Sequence, residues 1–269
     1  MEKILDVSNL NLTVDNKVLI DNLSFSIEEG SLNAFLCPNN SGKTTLIKTL
    51  SGLIWADSGK IIVNGTTLSK NSYEEYILSI STLLDDINDQ FICSKVYDEI
   101  KYPLMNLSYD ELDINNIVDN VSDTLKISTI LGKDISRLKY YEKVKILIAA
   151  SIVHNPKVLF IDDVFRFLTN KEKKDLFKIL KTIITKYNIA ILFTTSDIND
   201  VIDVDNIYVY NSKIVMNGTY SEIIMKDNEL SKLGFSIPIM IDLSRKLEFY
   251  NLVDEIYYDE DRLVDRLWK

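Results

Sequence analysis

A short apolar run, a polar loop and an amphipathic stretch follow one another near the start of the chain. Leu32 to Leu36 reads LNAFL, and Cys37 to Thr45 reads CPNNSGKTT. Beyond the loop, apolar residues recur at the spacing of one helical face: Leu46, Ile47, Leu50 and Leu53. The stretch therefore predicts a buried strand, a loop and a helix, in that order.

The loop keeps most of a phosphate-binding pattern, in which backbone N–H groups curl around phosphate oxygens. Gly42, Lys43 and Thr44 supply its Gly-Lys-Thr end, with the lysine for the β and γ phosphates and the hydroxyl for Mg²⁺. Cys37 replaces the first glycine. Asn40 is one of the few non-glycine residue types that enter the left-handed region at modest cost. The candidate nucleotide-binding residues are Pro38, Asn39, Asn40, Ser41, Gly42, Lys43, Thr44 and Thr45.

An acidic residue further along the chain supports a phosphate-binding loop over a chance Gly-Lys-Thr run at a helix start. Asp162 ends the apolar run Val158 to Ile161. A carboxylate at the end of a buried strand can hold Mg²⁺ from the side opposite the loop, directly or through water. On its own, a strand that ends in Asp-Asp is more often a solvated turn.

Composition excludes several other classes of protein. The 269 residues are 46% hydrophobic, with a net charge of −10, and this balance argues against nonspecific attraction to nucleic acid or anionic lipid. Two cysteines form no disulfide scaffold or metal pattern, which favours a reducing compartment. We expect no export signal and no membrane-spanning segment, since the longest apolar run, Ile146 to Val153, is too short for a bilayer.

The remaining patterns predict an α/β protein. Strands are expected at Ile4 to Val7, Leu10 to Val14, Leu23 to Ile27, and Ile61 to Val63, and a mostly helical region from Tyr73 to Ala150. Strands at Val158 to Ile161 and Ile189 to Phe193 flank the amphipathic stretch Lys171 to Tyr187, as in a parallel βαβ unit. A hairpin around Asn211-Ser212 and a helical tail follow.

With these motifs, the chain resembles the ATPases of ABC transporters. Among them it resembles those of energy-coupling factor (ECF) importers of vitamins and metals. Leu36 to Leu46 resembles their Walker A segment, and Asn155-Pro156 through Asp162 resembles the approach to Walker B. Asn88 to Phe91 and Val96 to Pro103 resemble the stretch after the family's Q-loop. Leu233 to Phe235, Ile237-Pro238 and Leu263 to Lys269 resemble its C-terminal tail.

Several functional positions of that family are substituted here. The resemblance places Asp163 at the catalytic glutamate, Ser196 at the switch histidine and Asp85 at the Q-loop glutamine, and Val14 at the adenine-stacking aromatic. Leu138 to Glu142, LKYYE, stands where the family has its Leu-Ser-Gly-Gly-Gln signature, which binds the nucleotide of a partner subunit. The catalytic candidates are therefore Asp163 and Ser196, and the Mg²⁺ ligand candidates are Thr44, Asp162 and Asp85. The lone histidine, His154, is expected to be a packed residue rather than a catalyst.

The fold that the resemblance implies is an α/β P-loop nucleotide-binding domain of the ABC type. It would have an ATP-binding core at residues 1–82 and 151–220, a helical signature subdomain at 83–150 and a C-terminal tail at 221–269 with a dimerisation role.

The implied function is ATP binding and slow hydrolysis, with Mg²⁺, for an ECF-type importer. The partners would be a second ABC ATPase, in a heterodimer, and an integral membrane coupling subunit at the cytoplasmic face of the membrane, with no nucleic acid. A noncatalytic scaffold that supports an intact paralogue remains an alternative, as does, more weakly, a P-loop kinase or GTPase.

Overall fold

The computed structural model of the chain describes residues 3–257 and 260–268. The strands are β1 (Lys3–Val14), β2 (Lys17–Glu28), β3 (Leu32–Leu36), β4 (Ser58–Val63), β5 (Thr66–Thr67), β6 (Ile80–Leu83), β7 (Val158–Asp162), β8 (Ala190–Thr195), β9 (Asn206–Asn211) and β10 (Lys213–Gly218). The helices are α1 (Lys43–Leu50), α2 (Tyr73–Leu78), α3 (Val96–Asn106), α4 (Glu111–Thr124), α5 (Tyr140–Ile152), α6 (Asn170–Tyr187), α7 (Tyr220–Ile224), α8 (Asp227–Lys232), α9 (Ile239–Phe249) and α10 (Glu260–Leu267).

The centre of the molecule is a six-stranded sheet in the order β10-β9-β3-β8-β7-β6. The pairs from β9 through β6 are parallel, and β10 closes the sheet as an antiparallel hairpin with β9. Parallel strands end at the same edge of a sheet, so the residues that follow β3, β7 and β8 meet there. This edge therefore collects the loop at residues 37–42, the acidic pair after β7 and the turn after β8.

A smaller antiparallel sheet lies beside the first, in the order β2-β1-β4-β5. The two short strands expected at the N-terminal end, Ile4 to Val7 and Leu10 to Val14, form the single strand β1, which pairs with β2 through several register shifts. Asn9 sits within this strand at φ 49°, and it accommodates the irregularity because Asn tolerates the left-handed region. The predicted antiparallel layer is confirmed.

Apolar side chains cover both faces of the parallel sheet. On β3, Leu32, Ala34 and Leu36 face the core that contains the helical region, whereas Phe35 faces the core shared with α1 and the antiparallel sheet. Because successive residues of a strand point to opposite faces, a strand covered on both sides reads as a continuous apolar run. Burial on both faces therefore explains why the parallel strands were recognisable in the sequence as apolar runs.

The expectation of a helical region from Tyr73 to Ala150 is only partly right. Helices α3, α4 and α5 form that region, but β6 lies inside its predicted span and forms an edge of the parallel sheet. Ile80 and Leu83 are the buried residues of β6, and their three-residue spacing imitates a helical face. The strand crosses the predicted boundary between residues 82 and 83 and ends at Leu83, one residue beyond it.

The tail begins with α7, slightly before the predicted boundary at 221, and continues through α10. Arg245 on α9 forms an ion pair with Asp227 at 2.8 Å and donates to the carbonyl oxygen of Ile224 at 2.7 Å, which ties α9 to α7 and α8. Residues 1, 2, 258, 259 and 269, which belong to the predicted terminal regions, lie outside the described residues. Among the described residues, no helix is long and apolar enough to cross a bilayer.

Candidate functional site

The loop after β3 has the backbone shape of an anion cradle although Cys37 replaces the first glycine of the pattern. Asn40 adopts φ 61° and Gly42 adopts φ 87°, both in the left-handed region. Cys37 lies outside that region, so its backbone does not require a glycine. The expectation that Asn40 would take over the special backbone geometry is confirmed, and α1 begins directly after Gly42, at Lys43.

The side chain of Cys37 is buried in the core between the two sheets, with 0% of it exposed. Its backbone N–H donates to the carbonyl oxygen of Thr195 at 2.8 Å, which joins the loop to the end of β8. Burial raises the pKa of the Cys37 thiol well above its ordinary value, so the thiol stays protonated. The substitution for glycine thus adds a core side chain and leaves the cradle itself open.

The ammonium of Lys43 forms an ion pair with Asp163, with Nζ and Oδ2 separated by 2.7 Å. Only 11% of the lysine side chain and 14% of the aspartate side chain are exposed. Asp163 takes φ 46°, and its backbone N–H donates to the hydroxyl of Thr194 at 3.1 Å. The predicted catalytic carboxylate and the predicted phosphate-binding lysine are therefore in direct contact.

Asp162 is the buried acid of the site. Its Oδ1 accepts a 2.6 Å hydrogen bond from the Thr194 hydroxyl, while Oδ2 is buried without a hydrogen-bond partner. Burial raises the pKa of Asp162 more than the hydroxyls of Thr194 and Thr44 lower it. A buried carboxylate oxygen with no partner costs free energy that a cation would offset, so Asp162 fits the role of a Mg²⁺ ligand.

The third predicted metal ligand, Asp85, is exposed and lies across a cavity from Asp163. This cavity of about 330 Å³ is lined by Asp85, Asp86, Ile87, Asn88, Tyr140, Asp163, Arg166 and Phe167. Its polar character comes from the carboxylates of the segment after β6 and of the turn after β7. Within residues 3–257 and 260–268, no three His, Cys, Asp or Glu side chains come together as a metal site.

Gln90, which sequence reasoning did not single out as a functional residue, organises the segment that carries Asp85. Its side-chain amide accepts from the N–H of Leu84 at 2.9 Å and donates to the carbonyl oxygens of Leu84 and Asp86 at 2.9 and 2.8 Å. Lys143 on α5 donates to Asn88 in the same segment at 2.9 Å. The acidic wall of the cavity is therefore fixed to β6 on one side and to α5 on the other.

Ser196, the predicted switch residue, follows β8 directly and is half-buried. No hydrogen bond between Ser196 and Asp163 is present in the described part of the chain. The neighbouring Thr195 instead donates to Asp200 at 2.7 Å, and Lys173 on α6 pairs with Asp200 at 2.7 Å and with Asp197 at 3.0 Å. This partly buried network holds the turn after β8. Lys173 is more than twenty positions away from that turn in the sequence, so no local pattern reveals the contact.

The start of α5, where the family's signature would lie, is closed by its own side chains. The backbone N–H of Lys139 donates to Oε2 of Glu142 at 2.9 Å, which is one half of a capping arrangement. Tyr140 donates to the carbonyl oxygen of Val164 at 3.1 Å. Tyr141 donates to Asp175 at 2.6 Å. These contacts occupy the positions at which two glycines would expose backbone to a ligand.

Two remaining sequence expectations concern single side chains. His154 is half-buried with Nε2 3.4 Å from the Ser81 hydroxyl, and burial lowers its pKa, as expected for a packed histidine. Val14, at the position expected for an adenine-stacking aromatic, is 38% exposed at the end of β1. Its side chain is apolar but has no aromatic ring on which an adenine could stack.

A phosphate-type loop between β3 and α1, with buried carboxylates across from it at the end of β7, defines a nucleotide-binding α/β protein of the P-loop class. The family model described as "ABC transporter" matches residues 20–166, a span of more than half the chain. The chain therefore belongs to the ABC transporter family, and its fold is the ABC-type P-loop domain with an antiparallel layer.

Individual relatives agree with this assignment. The chain is 26% identical to the "Energy-coupling factor transporter ATP-binding protein EcfA1" of Streptococcus agalactiae serotype Ia, over 100% of this chain and 98% of that protein. It is 27% identical to the EcfA protein of Malacoplasma penetrans, over 100% of this chain and 94% of that one. The solved structure of cbiO1 from Clostridium perfringens superposes with a TM-score of 0.78 at 24% identity, over 87% of this chain and 95% of the other, and agrees in fold.

Proposed function

We propose that the chain is the ATP-binding subunit of an ECF-type ABC importer, in which ATP binding and slow hydrolysis drive uptake of a vitamin or a metal ion. The observation that carries this proposal is the position of Lys43, at the start of α1, between the open cradle and the carboxylates after β7. Relatives that carry the ECF ATP-binding name over their full length support it.

In this proposal the backbone of residues 38–45 surrounds the β and γ phosphates, and Lys43 supplies the positive charge. The α1 N-terminus adds N–H groups directed at the phosphates. Asp162 and the Thr44 hydroxyl would hold Mg²⁺, with Asp85 approaching from the other side of the cavity. The ion would neutralise charge that develops on the phosphates during transfer. Asp163 and Ser196 would act on the attacking water.

Hydrolysis is proposed to be slow because the groups around the water are altered. Asp163 has a shorter reach than the glutamate of the family, and Lys43 engages its carboxylate at 2.7 Å. A small displacement of a general base from its water reduces the rate severely. Ser196 has no group that titrates near neutrality and cannot replace an imidazole as a proton carrier.

The proposed partners follow from the family assignment and from the closed start of α5. A second ATPase would form a heterodimer in which each ATP lies between a cradle and a signature. Since Glu142 and the tyrosines cover the start of α5 here, the partner's nucleotide would receive few contacts from this chain. An integral membrane subunit would dock on the helical region, placing the complex at the cytoplasmic face of the membrane.

The division of labour along the chain is part of the same proposal. Residues 1–82 and 151–220 would bind ATP, residues 83–150 would contact the membrane subunit, and residues 221–269 would contribute to ATPase pairing. Exposed apolar side chains on α9, Ile239 and Phe249, support a pairing role because they offer apolar surface to a partner.

Isothermal titration calorimetry of the purified chain with Mg²⁺ and ATP tests the proposal. We expect saturable binding of ATP, weaker competition by GTP, and loss of binding in Lys43→Ala. Lys48→Ala is the matched control, because it removes the same charge from the same helix outside the loop. Absence of any heat at millimolar ATP would refute nucleotide binding, and preference for GTP would favour a GTPase or kinase.

A noncatalytic scaffold is the second candidate, and the closed start of α5 favours it. In that role the chain would hold a membrane subunit and an intact paralogous ATPase without using its own nucleotide. Solute uptake by cells that carry the complete transporter separates the two candidates. Uptake that is unchanged in Lys43→Ala would support the scaffold, whereas uptake that is lost would support the use of ATP at this site.

A further inference from the structure

The contact between Lys43 and Asp163 ties the start of α1 to the turn after β7. We propose that this ion pair is an internal latch that competes with nucleotide phosphates for Lys43 and lowers the affinity of the chain for ATP. The inference rests on the proposed function and concerns the regulation of the same site.

The geometry of the pair makes it an effective competitor. Nζ and Oδ2 are 2.7 Å apart, at the short end of charge-assisted hydrogen bonds. Both side chains are largely shielded from water, at 11% and 14% exposure, so solvent weakens their attraction less than that of a surface pair. No other carboxylate forms an ion pair with Lys43 within the described ranges.

Asp163 is held in place independently of its carboxylate. Its backbone N–H donates to the Thr194 hydroxyl, which in turn donates to Asp162. The carboxylate therefore stays close to Lys43 rather than leaving with a flexible loop. A phosphate that approaches the cradle meets a lysine already engaged, together with a negative charge beside it, and both effects oppose its binding.

The latch also couples two tasks of the site. While Lys43 holds Asp163, one of its donors and part of its charge are engaged, so it binds phosphate less strongly, and the carboxylate of Asp163 is less free to act on a water. Only a ligand that displaces the carboxylate frees both groups, because an ion pair releases its two members together. The apparent affinity of the chain is then the intrinsic affinity multiplied by the fraction of molecules with the pair open.

Asp163→Asn is the variant that removes the latch with least disturbance. Asn tolerates the left-handed conformation that residue 163 adopts, and it keeps the size of the side chain. Asp86→Asn is the matched control, because it removes one negative charge from the same cavity at a residue that forms no ion pair with Lys43 in the described part of the chain. Thermal unfolding of both variants shows whether each is folded at the temperature of titration.

The experiment measures the dissociation constants of ATP, ADP and AMP for the wild-type chain and both variants by calorimetry with Mg²⁺. We expect Asp163→Asn to bind ATP and ADP roughly three- to tenfold more tightly than the wild type, the scale of a shielded ion pair. AMP, which lacks the phosphates that reach Lys43, should show no gain. Asp86→Asn should match the wild type for all three ligands.

Equal or weaker ATP binding by Asp163→Asn, beside measurable binding by the wild type, would overturn the latch and leave the proposed function intact. An equal gain for AMP would also overturn it, since the effect would not act through the β and γ phosphates. If no protein binds ATP, the proposed function fails and the latch fails with it.

Discussion

The hydroxyl of Tyr140 at the start of α5 donates a 3.1 Å hydrogen bond to the carbonyl oxygen of Val164, one residue after Asp163. The Tyr140 ring also meets the ring of Phe167 edge-on, with centroids 5.4 Å apart. Where a signature glycine would leave open backbone, this chain has a side chain that fastens the helical region to the turn after β7. The acidic turn is therefore supported from the helices as well as from the sheet.

Tyr140→Phe removes the hydroxyl and keeps the ring. We expect a loss of about 1 kcal/mol in the free energy of unfolding, because the buried Val164 carbonyl loses its donor. Urea denaturation measures the change. Tyr250→Phe is the control, because that side chain is 69% exposed and its loss of a hydroxyl should change stability little. Equal stability of Tyr140→Phe and the wild type would show that water replaces the tyrosine as donor.

The thiols of the chain should react very differently with a thiol-specific reagent such as DTNB. Cys37 is fully buried, and burial raises its pKa, whereas Cys93 is partly accessible. We expect Cys93 alone to react in the native protein and both to react after denaturation. Burial and the nearby Glu99 and Asp98 raise the pKa of Cys93, so its reaction should accelerate as pH rises above neutrality, since only the thiolate attacks. Rapid native reaction of Cys37 would contradict its burial.

Asp162→Asn should stabilise the nucleotide-free protein while it weakens Mg²⁺-dependent nucleotide binding. Burial raises the pKa of Asp162 in the folded state, so folding disfavours the ionised form. The contribution of Asp162 to the free energy of unfolding is greatest below the pKa of Asp in the unfolded chain. It is lost as pH rises through the raised pKa of the folded state. We therefore expect the variant to gain about 1 kcal/mol at neutral pH, with a smaller gain in mild acid.

Urea denaturation without Mg²⁺ at the two pH values tests this prediction, and calorimetry with Mg²⁺ and ATP tests its functional half. Asn keeps an oxygen that can accept from the Thr194 hydroxyl, so the hydrogen bond seen at 2.6 Å should survive. A variant less stable than the wild type at neutral pH would show that the carboxylate is stabilised in the fold after all.

Lys173→Met should destabilise the chain more than a typical substitution. Lys173 pairs with the buried Asp200 and with Asp197, and removal of the ammonium leaves the buried Asp200 carboxylate without its ion-pair partner. We expect a loss of about 3 kcal/mol, the scale for breaking one side of a buried ion pair. Lys181→Met on the same helix is the control, since its pair with Asp203 is long and exposed. Similar losses in the two variants would refute the assignment.

The core of the site could be predicted from the sequence because its signals are local. The run from Leu32 to Leu50 encodes strand, loop and helix by its own periodicity, and Asn40 is a residue type suited to the left-handed position it takes. Asp162 was predictable as well, because it ends an apolar run whose parallel neighbours all finish at the same edge.

Other parts of the structure depend on contacts that no local pattern contains. Lys43 and Asp163 are 120 positions apart, and their pairing requires β3 and β7 to be placed in one sheet. The strand β6 was missed because it is short, lies at a sheet edge and carries apolar residues at a helical spacing. The burial of Cys37 likewise depends on the antiparallel sheet that packs over it.

Gln90 and Asn88 have a mechanical consequence for the segment after β6. The Gln90 amide exchanges hydrogen bonds with Leu84 at the end of β6, and Lys143 on α5 donates to Asn88, so the segment is linked to both the sheet and the helices. A displacement of the sheet edge would therefore be passed to α5 through these hydrogen bonds.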